Sequence, residues 1–171
     1  MRDKSCMMAG DQSEEVFMQR RAFTLIAILV LMAGVAAAKP NFTGEWKLNP
    51  AKSSFGEFPA PSKLTMTIGH EDPSLKVATA MAGDFGEFNS EASYTTDGKE
   101  CTNRMGESDS KSVVTWDGDT LLISTKSSFG GNDMTISDKW KLAEDGKSLM
   151  IERKFSGSQG EMVQKLTMEK P

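Results

Sequence analysis

Apolar and polar side chains alternate every second residue through most of the chain after residue 38, and a period of two predicts β-strands. In the segment 133–142, Met134, Ile136, Trp140 and Leu142 share one parity, and the other parity is polar. Turn signals, mostly Asp-Gly and Gly-Gly pairs, separate such segments. The alternation predicts ten strands, at 42–48, 63–69, 75–81, 87–95, 99–104, 110–116, 119–126, 133–142, 148–155 and 161–169.

The connections between these strands are short, apart from the segment 49–62, which contains Pro50, Pro59 and Pro61 and is not expected to form sheet. Successive hairpins make an up-and-down meander, and a sheet with one apolar face hides its edges best by closing. We therefore predict an all-β fold, a single antiparallel up-and-down β-barrel of about ten strands. A two-sheet sandwich is the alternative, but it generally needs longer crossover connections than this chain has.

The N-terminal region has the pattern of a secretory signal. Arg20 and Arg21 precede an uncharged apolar run at 22–35, and small alanines follow at 36–38. The run is shorter than the roughly 20 apolar residues of a membrane-spanning helix. We predict a cleavable signal helix at 18–38, followed by a mature domain that is exported to the periplasm or the extracellular space without stable membrane insertion.

Residues 1–17 are polar and show no periodicity, although a signal peptide normally begins at the chain terminus. We expect them to be an over-extended or disordered extension, with Met18 as the true start and residues 39–171 as the mature domain. The formal net charge of −4 offers no attraction to nucleic acid or to an anionic membrane. Cys101 is the one thiol of the mature domain, so no internal disulfide is expected.

Three polar residues interrupt the apolar parity of the last three predicted strands. If residues 144–147 form the turn between two of these strands, Asp138 lies opposite Arg153. If residues 156–161 form the next loop, Arg153 lies opposite Gln164. The same registers pair apolar residues with apolar residues, so we predict that the three polar side chains lie together on the inner face.

Two interpretations of this cluster remain open. It is either an internal ion pair that satisfies itself or a polar anchor for the head group of a ligand in a cavity. Removing one member of a buried ion pair costs about 3–5 kcal/mol, so a buried arginine needs its partner. Because Asp138 would largely neutralise Arg153, a neutral polar or an apolar ligand fits such a cavity better than an anion.

The rest of the inner parity mixes flexible apolar residues with small ones. Methionines, among them Met66 and Met134, either fill a core or line an adaptable cavity. Trp140 is a further predicted lining residue. A hollow interior is favoured by small or polar residues of the same parity: Thr79, Ser90, Ala92, Ser112 and Thr125.

The remaining motifs carry little chemistry. Tyr94 is also a predicted lining residue, and it is expected to face Cys101 across the turn at 97–98, as an aromatic packed beside a buried thiol. His70 is the single histidine and is expected in a solvated hairpin loop, so neither a metal site nor a catalytic triad is predicted. With no phosphate loop or paired carboxylates either, we expect no catalytic residues and no cofactor.

The segment Phe42-Thr43-Gly44-Glu45-Trp46-Lys47-Leu48 resembles the F-x-G-x-W-x-L opening of the lipocalin and fatty-acid-binding-protein group, the calycins. The Asp-Gly turns at 97–98, 117–118 and 145–146 resemble the hairpins of fatty-acid-binding proteins. The resemblance implies a ten-stranded barrel with Trp46 closing one end. The chain is also similar to small secreted bacterial lipocalin-like proteins.

The chain departs from fatty-acid-binding proteins in two places. Their first strands are joined by two short lid helices, whereas residues 49–62 show no helical pattern. Their last strand carries Arg-x-Tyr for the lipid carboxylate, whereas the matching residues here are Gln164-Lys165-Leu166. We therefore expect an exported protein that binds a small apolar or weakly polar ligand in the barrel. The alternative is a structural or interaction module of the cell envelope, with a filled barrel and with Phe55 and Phe58 as contacts.

Overall fold

The structure is a computed structural model that describes residues 39–84, 86–105, 108–129, 132–158 and 160–171. The extension predicted at 1–17 and the signal helix predicted at 18–38 lie outside the described residues. Across the described ranges, the structure contains no helix with the length and hydropathy of a membrane span.

Ten antiparallel strands form one sheet in the described part of the chain, which confirms the prediction of an all-β, up-and-down fold. The strands are β1 (Gly44–Leu48), β2 (Lys63–Glu71), β3 (Ser74–Gly83), β4 (Gly86–Thr95), β5 (Glu100–Met105), β6 (Ser108–Asp117), β7 (Thr120–Phe129), β8 (Asn132–Leu142), β9 (Ser148–Gly157) and β10 (Gly160–Glu169). Neighbours in sequence pair with each other except β4 and β5, and β1 also pairs with β10. Several strands run beyond their predicted ends because backbone pairing continues into the hairpins.

The registers predicted for the last three strands are confirmed. Asp138 on β8 lies opposite Arg153 on β9, and Arg153 lies opposite Gln164 on β10. The apolar pairs on either side match as predicted, for example Trp140 with Ile151. A shift of one residue would turn every inward side chain outward, so the apolar pattern specifies this register strongly.

The sheet curls into a nearly closed barrel whose two edges are β4 and β5. The side chain of Asn103 on β5 spans the gap, because the Ser93 amide donates to its Oδ1 (2.7 Å) and its Nδ2 donates to the Ser93 carbonyl (3.0 Å). In the described ranges no β4–β5 ladder forms, so the hairpin that was expected to set Tyr94 opposite Cys101 is absent. Instead, the amide of Thr95 lies 3.2 Å from Cys101 Sγ.

Residues 49–62, called the capping loop below, form no regular helix beyond the 3₁₀ turn Pro50–Lys52. The loop is held on β10 by an isolated bridge in which Ser54 and Lys165 exchange two backbone hydrogen bonds of 2.7 and 2.8 Å. Gly56 has a φ of +63°, and a Cβ there would lie 2.8 Å from the Val163 carbonyl oxygen. Only glycine therefore allows the loop to approach β10 this closely.

One end of the barrel is filled by aromatic side chains. Trp46 is fully buried, and its Nε1 donates to the Phe42 carbonyl at 2.9 Å. The ring of Phe42 stacks on Trp116 at 5.9 Å and meets the edge of Trp140 at 6.0 Å. The tryptophan of the G-x-W motif thus packs in the closed end, as the calycin resemblance implied.

The expectation that His70 lies in a solvated loop is wrong. His70 ends the buried parity of β2, is 7% exposed, and stacks on Phe42 at 5.7 Å and on Trp116 at 5.9 Å. Its Nδ1 accepts a 3.3 Å hydrogen bond from the Phe42 amide, so the imidazole joins the N-terminal residues to the barrel. The turn signal at Pro73 predicted a loop at His70, but β2 continues to Glu71, almost to the proline.

Burial lowers the pKa of His70, with a smaller opposing effect of Asp72. The unfolded chain therefore binds a proton at a higher pH than the folded domain does, and stability falls below about pH 6.5, until the lowered folded-state pKa is passed. We predict that, as the pH falls through this window, the free energy of unfolding of the wild-type domain decreases more steeply than that of the His70→Gln variant. The difference between the two slopes is up to about 1.4 kcal/mol per pH unit. Urea unfolding at several pH values measures both slopes, and equal slopes would contradict the burial of a neutral imidazole.

Candidate ligand-binding cavity

A cavity of about 390 Å³ lies inside the barrel. Its walls come mostly from the inward parity of β2 to β10, and the capping loop adds further residues. The volume falls within the roughly 300–1,000 Å³ that is common for small-molecule sites. The interior that the small inward residues predicted is therefore partly hollow.

Most of the lining is apolar. Phe58 of the capping loop packs against Phe155 of β9, with ring centroids 5.2 Å apart. Both Phe55 and Phe58 are half-buried and face this cavity, so they contribute to its wall. The larger apolar side chains of the lining are Phe55, Phe58, Leu64, Met66, Val77, Met81, Phe88, Ile123, Ile136, Trp140, Phe155 and Leu166.

A single ion pair lies in this apolar surround among the described residues. Arg153 Nε donates to Asp138 Oδ1 at 2.8 Å, and Arg153 Nη2 donates to Asp138 Oδ2 at 2.7 Å. Such a two-pronged contact matches the planar guanidinium to the carboxylate. The Asp138 side chain is 8% exposed and that of Arg153 is 31% exposed, so the arginine is the more accessible partner.

The pair is electrostatically self-sufficient. Burial alone would lower the pKa of Arg153, but the charge and hydrogen bonds of Asp138 raise it above its ordinary value. Arg153 therefore stays charged, and its charge is matched by the adjacent carboxylate. The interpretation as a self-satisfied ion pair is consistent with this geometry, and the position of the pair on the cavity wall leaves it available to a ligand as well.

Tyr94 and Gln164 line the same cavity as the ion pair. Burial raises the pKa of Tyr94, and the negative charge of Asp138 adds to the effect, so the phenol remains protonated at neutral pH. Gln164 lies directly across from Arg153 on the neighbouring strand. A phenol, an amide and a neutralised guanidinium thus share one cavity.

The other predicted lining residues divide into two groups. Trp140 and Met66 are almost fully buried and line the cavity, whereas Met134 is half-buried on β8, opposite Ser127 and Gly157, and is not part of the described lining. Met134 has the inward parity, but it lies near the end of the strand, beyond the level of the cavity. Parity alone could not show this, because it gives the face and not the height along the barrel.

Several lining residues were not singled out in the sequence. Phe155 and Ile123 have the inward parity, so the same signal could have found them. Asn103 has the inward parity of Cys101 and could have been found in the same way. Glu91 and Arg104, in contrast, have the outward parity, are exposed, and border the cavity at the gap between β4 and β5. Among the described residues, no cluster of three histidine, cysteine or acidic side chains could hold a metal ion.

No protein-family model matches the chain, and no curated protein sequence matches it. Solved structures, in contrast, do match the chain. The chain resembles zebrafish ileal bile acid-binding protein complexed with cholic acid, at 19% identity and a TM-score of 0.53, over 76% of this chain and 98% of that one. It also resembles a variant of the fluorescent protein UnaG, at 18% identity and a TM-score of 0.51, over 76% and 96%.

The fold is calycin-like. A third similar structure is a secretory abundant heat soluble protein of Ramazzottius varieornatus, at 16% identity and a TM-score of 0.53, over 75% of this chain and 94% of that one. At these identities the likeness concerns the fold alone. Within this calycin-like fold, the capping loop replaces the lid helices expected in a fatty-acid-binding protein, and the ion pair lies on β8 and β9.

We predict that Arg153→Met lowers the free energy of unfolding by about 3 kcal/mol or more, because it leaves the Asp138 carboxylate buried without its partner. The double variant Asp138→Leu, Arg153→Met should cost much less, since no unpaired charge remains. Chemical denaturation of the wild type, both single variants and the double variant gives the coupling energy. Additive effects within about 0.5 kcal/mol would remove the pair from this account.

Proposed function

We propose that this protein is exported and binds a small apolar or weakly polar molecule inside its barrel. The observation that carries the proposal is the cavity of about 390 Å³, whose surface is mostly apolar and includes the Asp138–Arg153 pair and several uncharged polar side chains. A concave, predominantly apolar site with convergent polar side chains is the common form of a small-molecule site.

The same cavity disfavours the alternative, a structural module with a filled barrel. The two phenylalanines that such a module would use for partner contacts, Phe55 and Phe58, lie on the cavity wall. The calycin-like neighbours add support, since one of them is a bile acid-binding protein complexed with cholic acid. A fold supports many functions, so the cavity and not the likeness is the main argument.

We predict that Ala92→Phe weakens the binding of the uncharged apolar dye N-phenyl-1-naphthylamine by roughly tenfold or more, because the new ring occupies cavity volume. Ala92 lines the cavity from β4. Ala80→Phe is the matched control, since Ala80 lies on β3 with its side chain on the outer face. Dye fluorescence titrations measure both variants, and circular dichroism checks that each variant folds.

Two results would contradict internal binding. The first is a wild-type protein that neither binds the dye nor retains any small molecule in native mass spectrometry. The second is a folded Ala92→Phe variant that binds the dye as tightly as Ala80→Phe does.

Export is the part of the proposal that rests on the sequence. Arg20 and Arg21, the apolar run 22–35 and the alanines at 36–38 support cleavage after Ala38. We predict that protein recovered from the periplasm or medium of an expressing bacterium begins at Lys39, as N-terminal sequencing will show. Recovery of the intact N-terminal segment from the cytoplasm alone would contradict export.

A further inference from the structure

We propose that the polar wall of the cavity selects an uncharged hydrogen-bond acceptor, such as the oxygen of an amide, ketone, ester or alcohol, on an otherwise apolar ligand. This inference rests on the proposed function and names the ligand class of the same site. It is carried by the hydrogen-bonding capacity that the ion pair leaves unused, and by the charge that the pair cancels.

Arg153 has hydrogen-bond donors that Asp138 does not use. A guanidinium carries five N–H donors, and Asp138 takes one from Nε and one from Nη2. Nη1 takes part in no hydrogen bond among the described residues, while the side chain keeps 31% of its surface accessible and lines the cavity. The free N–H groups therefore require an acceptor, which a ligand oxygen or water supplies.

The carboxylate of Asp138 makes this donor site unfavourable for an anionic ligand. Both of its oxygens are bound to Arg153, and its side chain is 8% exposed, so the carboxylate is held beside the guanidinium. A ligand carboxylate at Nη1 would lose its hydration and meet this second negative charge at short range. A ligand ammonium would instead meet the positive charge of Arg153. An uncharged acceptor avoids both costs.

The remaining polar lining has the same character. Tyr94 is protonated at neutral pH, and Gln164 is uncharged, so each can donate to a ligand oxygen without adding charge. Glu91 and Arg104 border the cavity only at the β4–β5 gap, where both are exposed to solvent, and their formal charges are opposite. Apart from these two exposed residues, the titratable lining in the described ranges consists of the Asp138–Arg153 pair and neutral Tyr94.

Three probes with the same twelve-carbon tail test the proposal: dodecanol, dodecanoate and dodecylammonium. Each is titrated against the dye complex of the wild-type protein at neutral pH, with dodecanol below its solubility limit and the two ions below their critical micelle concentrations. We expect dodecanol to bind at least roughly tenfold more tightly than either ion, because the site compensates neither buried charge. Dodecanoate binding as tightly as dodecanol, or dodecylammonium doing so, would overturn the proposal.

The variant Asp138→Asn adds a second readout. Removing the negative charge leaves Arg153 uncompensated, so the ratio of dodecanoate to dodecanol affinity should rise by roughly tenfold or more. Asp133→Asn is the matched control, since Asp133 is exposed on the outer parity of the same strand. An unchanged ratio in a folded Asp138→Asn variant would count against the proposal, and if that variant fails to fold, the wild-type series decides alone.

The proposed function and its ligand class fail in different ways. If neither the dye, by fluorescence, nor any of the three probes, by native mass spectrometry, binds to the protein, the proposed function is refuted, and the inference falls with it. If the probes bind but an ion binds best, the cavity remains a ligand site and the inference alone is overturned.

Discussion

The constraint on which this structure depends is the burial of one face of a ten-stranded sheet. Each strand places its apolar residues on one parity, so the sheet has an apolar face. Exposing this face to water costs enough free energy that the folded sheet must cover it. With no second sheet or helical layer in the described ranges, the sheet covers the face by curling around it. Phe42 and Trp46 then fill one end, and the inward side chains along the rest of the barrel, which include the small residues Thr79, Ser90, Ala92 and Thr125, leave a cavity.

The ion pair follows from the same constraint. Asp138 and Arg153 have the inward parity, so the register that buries Trp140 and Ile151 also brings the two charges inside. Neither charge could be buried alone, whereas together they form two short hydrogen bonds and cancel. The result is a polar spot with spare donors in an apolar cavity, and this is what gives the interior a chemical preference beyond size.

The sequence was sufficient for the strand count, the up-and-down order and the registers of β8, β9 and β10, since these depend on local alternation and short turns. It was insufficient where the structure depends on contacts between segments that are distant in sequence. His70 is buried because Phe42 and Trp116 stack on it, and neither is its neighbour in sequence. The β4–β5 gap was not foreseen, because a favourable Asp-Gly turn at 97–98 predicts a hairpin whose strands separate here. Met134 shows that parity gives the face of a strand but not the depth of the cavity.

The central claim is that a ligand lies among the inward side chains of this barrel. Methionine methyl groups report on it directly, because Met66 and Met81 line the cavity while Met150 is exposed on the outer face of β9. The decisive measurement is a methyl NMR titration of the methionine-labelled protein with dodecanol, with each resonance assigned by substitution. The account predicts saturable shifts of Met66 and Met81 with Met150 unchanged. Shifts of Met150 alone, with Met66 and Met81 unmoved, would contradict it.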